Sequence, residues 1–578
     1  MKAFSKSEGC VNMPRTVAIG IQNFEDLIKR NYFYVDKTAF LKEWWDGGDS
    51  VTLISRPRRF GKTLNMSMTE QFFSVDYAGR GDLFEGLSIW EHEEYRRIQG
   101  TYPVISMSFA NVKETTYEVA NYRVRQLLMK LYEKNSFLLE SGVLSEAEKR
   151  YYVRMAGEMS EEDAPMALYQ MSDYLHRYYG KKVLILIDEY DTPMQEAYVA
   201  GYWDDVVAFF RSLFNSTFKT NPWLERGLLT GITRVSKESI FFDLNHLEVV
   251  TTTSDKYVES FGFTEKEVFD ALEEMGLGEE KEEVRNWYDG FVFGEHKGIY
   301  NPWSIINYLD KKKQGAYWAN TSSNSLISKL LREGDPRVKK TFEKLLQGEE
   351  LCCPIDEQIV YSQLKGNADA IWSLLVASGY LKVLEREPQD PTGVKIRPMY
   401  RLSLTNKEVE ITFRSMVSGW FSEAGGNYGD FVNALLEGDV EAMNVYMERV
   451  LLQTFSYFDT GKGPLGEEPE RFYHGFVLGL LVELDRDYIL TSNRESGFGR
   501  YDVMLEPRDK SGRGIIMEFK TQSRKESSLE ETLQAALKQI EEKRYAAALM
   551  ERGVREENIY RYGFAFRGKE VQIGRAHV

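Results

Sequence analysis

Along this chain, short apolar runs alternate with longer stretches of helical spacing, and both end at polar, glycine-containing breaks. Ser50–Ser55 (SVTLIS) reads as a short strand. After Thr63 the apolar positions Leu64, Met66, Met68, Phe72 and Phe73 follow helical spacing. Tyr102–Ala110 (YPVISMSFA) and Glu225–Ser236 (ERGLLTGITRVS) predict two more strands. Lys181–Met194 (KKVLILIDEYDTPM) holds a continuous apolar run, the pattern of a parallel strand buried on both faces. Helical segments separate these strands, which predicts βα order and a mainly parallel sheet. Residues from about Phe261 to Glu350 read as helical and charged, and Thr264–Val268 opens a helix with a capping-box pattern. IWSLLVASGYLKVLE predicts a helix and a strand, MYRLSLT a return strand, and LTNKEVEITFRSMVSGWF a helical stretch. Asp459–Glu470 is rich in Gly and Pro and marks a boundary. Beyond it, two apolar runs flank the turn cluster DKSGRG and predict a β-hairpin. An amphipathic helix is expected over Leu529–Leu549.

The fold class expected is therefore α/β. A mainly parallel sheet is expected in the first part, a helical middle follows, then a winged-helix-like and helical connector, and a last α/β part is built on the hairpin. The expected division falls at 1–255, 256–350, 351–460 and 461–578. A length of 578 residues accommodates about three to four domains.

The hairpin carries the first candidate chemistry. Strand side chains alternate faces, so Glu518 and Lys520 point one way and Phe519 the other. If the two strands pair, Asp502 sits beside Glu518. Two carboxylates suit Mg²⁺, and a lysine beside them can activate water or steady developing phosphoryl charge. This is equipment for metal-dependent phosphodiester hydrolysis, with a structural ion pair at a strand end as the alternative. Asp502, Glu518 and Lys520 are the candidate catalytic residues, the first two as metal ligands.

The second chemistry lies at the strand–loop–helix near the start. Arg56–Thr63 (RPRRFGKT) fits the phosphate-loop pattern, with Arg56 in place of its first glycine. Arg58, Arg59, Phe60, Gly61, Lys62 and Thr63 are the candidate nucleotide-binding residues. Loop N–H groups and the helix N-terminus would receive phosphate oxygens, Lys62 would reach the β- and γ-phosphates, and Thr63 would ligate Mg²⁺. Pro57 has no N–H to give. Asp188 and Glu189 close the buried strand, where α/β sheets bind ligands. Asp188 is expected to hold Mg²⁺ and Glu189 to polarise the attacking water. Thr230 and Thr233 are candidates for sensing the γ-phosphate, and Arg234 for reaching it.

These segments together resemble a family. GIQNFEDLIKRNYFYVDKT (Gly20–Thr38), RPRRFGKTLN (Arg56–Asn65), LILIDEYDTP (Leu184–Pro193) and NWYDGFVFGEHKGIYNPWSIINYL (Asn286–Leu309) look like the bacterial AAA-ATPase-like proteins with a C-terminal PD-(D/E)XK nuclease domain. The resemblance runs from about Gly20 to Ile573, and the family carries arginine at the position of Arg56. It implies a P-loop core with a mainly parallel sheet (1–255), a helical lid holding Tyr288-Asp289-Gly290 and Tyr300-Asn301-Pro302-Trp303 (256–350), a connector (351–460), and a C-terminal restriction-endonuclease-like α/β nuclease domain (461–578). It also draws attention to Glu470 before the helix His474–Leu484, to Glu495 and Arg500, and to Gln539, which in related nucleases faces the metal. By periodicity alone, Gln539 is equally a surface residue.

Composition narrows the setting. The net charge of −16 argues against nonspecific nucleic-acid binding by the whole surface. Residues 461–578 are close to charge balance, so the acidic excess lies upstream. Three cysteines make neither a disulfide framework nor a zinc site. No run reaches a membrane span, and the N-terminus lacks an apolar signal core, so a cytoplasmic protein is expected. Ile573–Val578 (IGRAHV) matches a translated sequencing adapter, and no element is assigned to it. The expected function is an ATP-binding protein and ATPase coupled to a Mg²⁺-dependent nuclease acting on DNA or RNA, with homo-oligomers possible. The alternative is a nucleotide-gated switch or scaffold whose nuclease-like domain only binds nucleic acid or a partner.

Overall fold

The computed structural model describes residues 15–318 apart from 234–239, 242–243 and 245. It also describes 325–454 apart from 334–335, 357–363, 365–366, 387–397 and 423–427. At the C-terminal end it covers 487–576 apart from 493–494, 497–498, 501, 524–525 and 568–569, with 477, 481 and 484 besides. The chain forms two compact units, one of 1–327 with 350–409 and one of 328–349 with 410–578. Residues 351–409 thus group with the phosphate loop, and the helical stretch from 410 onward with the C-terminal sheet.

The first unit is built on five strands: β1 (Val51–Ser55), β2 (Val104–Ser108), β3 (Val183–Asp188), β4 (Leu224–Gly231) and β5 (Leu247–Val250). Their order is β2-β3-β4-β1-β5, and every pairing is parallel. β1 and β3 are buried along their whole length, which is why both read as unbroken apolar runs. Each such Val, Leu or Ile contributes roughly 1.5–3 kcal/mol by leaving water. The order sets β4 between the loop-bearing β1 and the acid-bearing β3, so a β4 side chain reaches both ends.

Two smaller sheets belong to the same unit. β6 (Phe263–Thr264), β7 (Asp289–Phe293) and β8 (His296–Tyr300) make an antiparallel sheet within the segment expected to be helical. The alternation of buried Phe291 and Phe293 around half-buried Val292 is a strand period, and Gly294 turns the chain back at φ 57°. β9 (Leu351–Pro354), β10 (Leu381–Arg386) and β11 (Met399–Leu404) form the other, again antiparallel. A helix over Ala368–Ala377 precedes β10, where the apolar spacing placed it.

The second unit holds a mixed sheet of β12 (Tyr488–Ser492), β15 (Val503–Pro507), β16 (Gly514–Thr521), β17 (Ile559–Arg567) and β18 (Glu570–Arg575) in that order. The short β13 (Glu495–Ser496) and β14 (Gly499–Arg500) pair with each other, Glu495 opposite Arg500. β16 and β17 run parallel and the other pairs of the large sheet antiparallel. One face packs Met517, Phe519 and Phe564 against helices that include Phe431, Leu435 and Met447. The other packs Met504 and Ile516 against Ile540, Tyr545 and Leu549. Ile573, to which no element was assigned, is a buried residue of β18, and its N–H donates to Asn444 Oδ1 at 2.8 Å.

Candidate functional site

The phosphate loop follows β1 and ends at α1 (Lys62–Phe73). Gly61 is left-handed at φ 80° and stands at the helix N-cap, a position that suits glycine. The Lys62 ammonium is buried and donates to the Arg56 and Pro57 carbonyls, both at 2.8 Å. Burial pushes its pKa down to about 8, against the opposing pull of Glu189, Asp188 and Asp191. The loop curls around the amine that would meet a phosphate.

Three arginines of the loop take three directions. Arg56 points inward and donates to the Thr251 carbonyl and, at 3.0 Å, to the Lys256 carbonyl. Its guanidinium lies 4.4 Å from the Phe293 ring. It therefore ties the loop entry to the chain after β5. Arg59 adopts φ 65° and lays its guanidinium 4.2 Å over Trp303. Arg58 lines the cavity and donates to Gln195 Oε1 at 3.2 Å. Phe60 is buried, with its ring 4.8 Å from Phe291 and 5.4 Å from Phe293. The Arg58 carbonyl accepts the Asn301 amide at 3.3 Å and the Trp318 indole N–H at 3.0 Å. Asn301 also caps the helix Pro302–Lys311 through bonds from Trp303 N and Ser304 N. The Tyr-Asn-Pro-Trp segment thus braces the loop, consistent with packing rather than catalysis.

Asp188 stands at the end of β3. It accepts the Thr63 hydroxyl at 2.7 Å and the Thr230 hydroxyl from β4. Burial raises its pKa, and the two hydroxyl bonds partly offset that. Glu189 follows at φ 51°, donates its N–H to Asp188 Oδ1 at 3.1 Å and faces the same cavity. Its side chain accepts the Thr192 hydroxyl at 3.1 Å. A non-glycine residue in this region stores strain of the kind that gathers at functional sites.

Sequence reasoning missed Asp191. It is fully buried at the head of α2 (Thr192–Ala200), and its Oδ2 accepts Ile232 N, Thr233 N, Thr233 Oγ1 and Gln195 Nε2 at 2.8–3.1 Å. Thr233 therefore spends its hydroxyl on Asp191, while Thr230 spends its own on Asp188. A β-carbon on Gly231 would lie 2.6 Å from Tyr190, so glycine is needed there. The signal available was the second Asp of DEYD just before Thr-Pro, a helix-start pattern. Arg234 lies outside the described residues.

Arg58 to Thr63, Glu189 and Gln195 line a cavity of about 380 Å³, within the usual range for ligand sites of ~300–1,000 Å³. Gly20–Gln22, Phe33–Val35, Pro302, Trp303 and Ile306 line it too. Oxygen donors converge at Thr63 and Asp188, which fits a hard divalent cation.

In the second unit, the register of β15 on β16 pairs Val503 with Met517. Continued by one residue, it sets Asp502 opposite Glu518. Asp502 Oδ2 accepts the Phe519 N–H at 2.9 Å. Burial raises its pKa to about 6, with the Phe519 bond and the Lys520 charge pulling the other way. Glu518 is buried and accepts the Gln539 amide from α3 (Leu529–Glu542). Gln539 also donates to Tyr545 Oη at 3.4 Å. Burial raises the Tyr545 pKa, and Glu518 and Asp502 add to the rise. Phe519 points to the opposite face, 4.9 Å from Phe564. Asp502, Glu518, Gln539 and Tyr545 thus lie together, with Lys520 on the strand face of Glu518. Among the described residues no cluster of three or more Asp, Glu, His or Cys could hold a metal. Two carboxylates leave the remaining positions to water and phosphate, as suits Mg²⁺. Glu470 and most of His474–Leu484 lie outside the described residues, as do the side chains of Glu495 and Arg500.

The fold and its two sites define a P-loop domain and a nuclease-like domain in one chain. Residues 18–241 match a family model described as "Predicted AAA-ATPase", and residues 468–576 match the PD-(D/E)XK nuclease superfamily. The chain carries both domains, as the resemblance of its motifs implied. It is similar to a protein of Azotobacter chroococcum mcd 1 described as "Uncharacterized protein in vnfD 5'region". The two are 25% identical over 399 residues, 68% of each chain. Among the described residues, no helix is long and apolar enough to cross a membrane.

Proposed function

We propose that the chain is an ATPase whose nucleotide cycle governs a Mg²⁺-dependent nuclease acting on DNA or RNA. The observation that carries this reading is the strand register that sets Asp502 opposite Glu518, beside Lys520, in a chain that also joins Thr63 to Asp188. On the nucleotide side, Lys62 would bind the β- and γ-phosphates, Thr63 and Asp188 would hold Mg²⁺, and Glu189 would orient water. On the nuclease side, Asp502 and Glu518 would hold Mg²⁺, which when bound supplies Lewis-acid stabilisation to the scissile phosphate. Lys520 would orient the attacking water. Gln539 fixes the Glu518 carboxylate by occupying one of its oxygens.

The test is cleavage of plasmid, single-stranded DNA and RNA in Mg²⁺ or Mn²⁺ by wild type and Lys520→Ala. Cleavage by wild type alone is expected. Equal cleavage by both sinks the assignment. ATP turnover with no cleavage of any substrate moves the reading to a nucleotide-gated switch whose hairpin only binds.

A further inference from the structure

We propose that Lys543 and Arg544, at the end of α3, bind the phosphodiester backbone of a nucleic acid beside the Asp502 and Glu518 carboxylates. The inference rests on the nucleic-acid reading of the C-terminal unit and adds two binding residues to it. α3 brings Gln539 to the Glu518 carboxylate. Lys543 follows Gln539 by four residues, and its N–H donates to the Gln539 carbonyl at 3.0 Å, so helical spacing holds across that interval. Residues four apart stand on one helix face, with β-carbons about 5–6 Å apart. Lys543 is therefore one turn along from Gln539, on the face that meets Glu518, and it is exposed where Gln539 is half-buried.

Arg544 closes the helix. It adopts φ 51°, and Tyr545 N donates back to the Ile540 carbonyl at 3.3 Å, a closure that usually carries glycine at this place. Glycine would take up this backbone without strain, whereas arginine there costs stability. The same turn delivers Tyr545 to Gln539, whose amide donates to both Tyr545 Oη and Glu518. Lys543 and Arg544 are thus held in the chain between two residues that meet the carboxylate site.

Both cations are exposed, and among the described residues neither side chain makes a hydrogen bond or ion pair. The neighbouring acids do not cancel them. Glu542 pairs with Lys538 at 3.5 Å. Glu541 follows Gln539 by two residues and so stands on the other side of the helix. A lysine in the last turn also meets the negative end of the helix dipole, so Lys543 alone would need no ligand. That does not account for Arg544, because glycine would cap the same turn at lower cost. A strand seated with one phosphate at the carboxylates through Mg²⁺ would carry its next phosphates past this turn, where two flexible cations meet them.

The experiment uses the full-length chain and one labelled oligonucleotide sequence, made as single-stranded DNA and as RNA. Binding is read by fluorescence anisotropy in Ca²⁺ at several salt concentrations, and cleavage in Mg²⁺. Wild type, Lys543→Gln, Arg544→Gly and Arg544→Lys are compared, with a denaturant midpoint for each. Lys543→Gln and Arg544→Gly are each expected to weaken binding about three- to tenfold and to lower the slope of log affinity against log salt by about 0.7. KM for cleavage is expected to rise by the same factor, more than kcat falls. Arg544→Gly is expected to raise the midpoint while losing affinity, and Arg544→Lys to keep the wild-type slope. Losses seen on DNA, on RNA or on both name the polymer held. Unchanged affinity and slope in Lys543→Gln and Arg544→Gly would overturn the proposal and leave the pair as a helix end. So would a midpoint that falls with affinity in Arg544→Gly, or wild type that binds neither polymer. Salt-sensitive binding that both variants weaken, with no cleavage by wild type, would keep the proposal and remove the nuclease reading, a separate result.

Discussion

Under the proposed function, the two sites would solve one problem, holding carboxylates ready for a cation, in different ways. At the nucleotide site Asp188 rests on two hydroxyls, Thr63 from α1 and Thr230 from β4. At the nuclease site Asp502 accepts the Phe519 N–H, and burial lifts it to about 6. The first site draws its groups from distant stretches of chain and braces them with Asn301 and Trp318. The second is built from one hairpin and one helix. A distributed site can sense the position of many segments. A local hairpin site is closer to a fixed tool, set by strand register.

This contrast can be broken at several points, the largest effect being chemical. Glu518→Gln keeps the shape of the hairpin but removes one of two metal-ligating charges. Cleavage should fall roughly a thousandfold while ATP turnover stays as in wild type, a split readable by paired gel and phosphate assays. Loss of both activities would contradict separate sites.

The next effect is on stability. Asp502 binds its proton more tightly folded than unfolded, so the folded chain loses stability as pH rises through about 4 to 6. In chelator at neutral pH, Asp502→Asn should therefore stabilise the C-terminal unit by about 2 kcal/mol. The gain should shrink as pH falls toward 4. Denaturant melts at three pH values measure it, and an unchanged or lowered midpoint at pH 7 would count against a carboxylate waiting for a cation.

The Lys62 pKa is shifted the other way, downward, at the other site. A value of about 8 means that the nucleotide-free chain loses this proton above pH 8, whereas bound phosphates would retain it. Nucleotide affinity should be level below pH 8 and fall by up to about tenfold per pH unit above it. Titrations of a fluorescent ATP analogue from pH 7 to 9.5 would show the bend, and a flat profile would deny Lys62 the phosphate. The smallest effect is at the brace. Trp318→Phe removes one N–H bond to the Arg58 carbonyl and should weaken nucleotide binding by about fivefold, near 1 kcal/mol. No change would mean that Asn301 holds the loop alone.

The same contrast explains what could be read from the chain. The hairpin was legible because alternation and turn chemistry are local, and Asp502, Glu518 and Lys520 fall within a few residues of one turn. Gln539 was visible only as one face of an amphipathic helix, since packing chose that face. Strands β1 and β3 were legible from unbroken apolar runs. The order that inserts β4 between them was not, because strand order is a tertiary outcome. Hence Thr230 and Thr233 were both read as γ-phosphate sensors, whereas their hydroxyls meet Asp188 and Asp191. Asp191, Gln195 and Trp318 carry no motif of their own. The end of strand β18 was unassigned because Ile573–Arg575 fall within the stretch that resembled extraneous sequence, yet Ile573 is core.

The most direct measurement is nucleic-acid cleavage by the full-length chain in Mg²⁺ with and without ATP, for wild type, Asp502→Ala and Lys62→Ala. The account predicts that wild type cleaves with a rate that ATP changes, that Asp502→Ala does not cleave, and that Lys62→Ala cleaves at a rate indifferent to ATP. Cleavage by Asp502→Ala equal to wild type, or a response to ATP that survives Lys62→Ala, would contradict it.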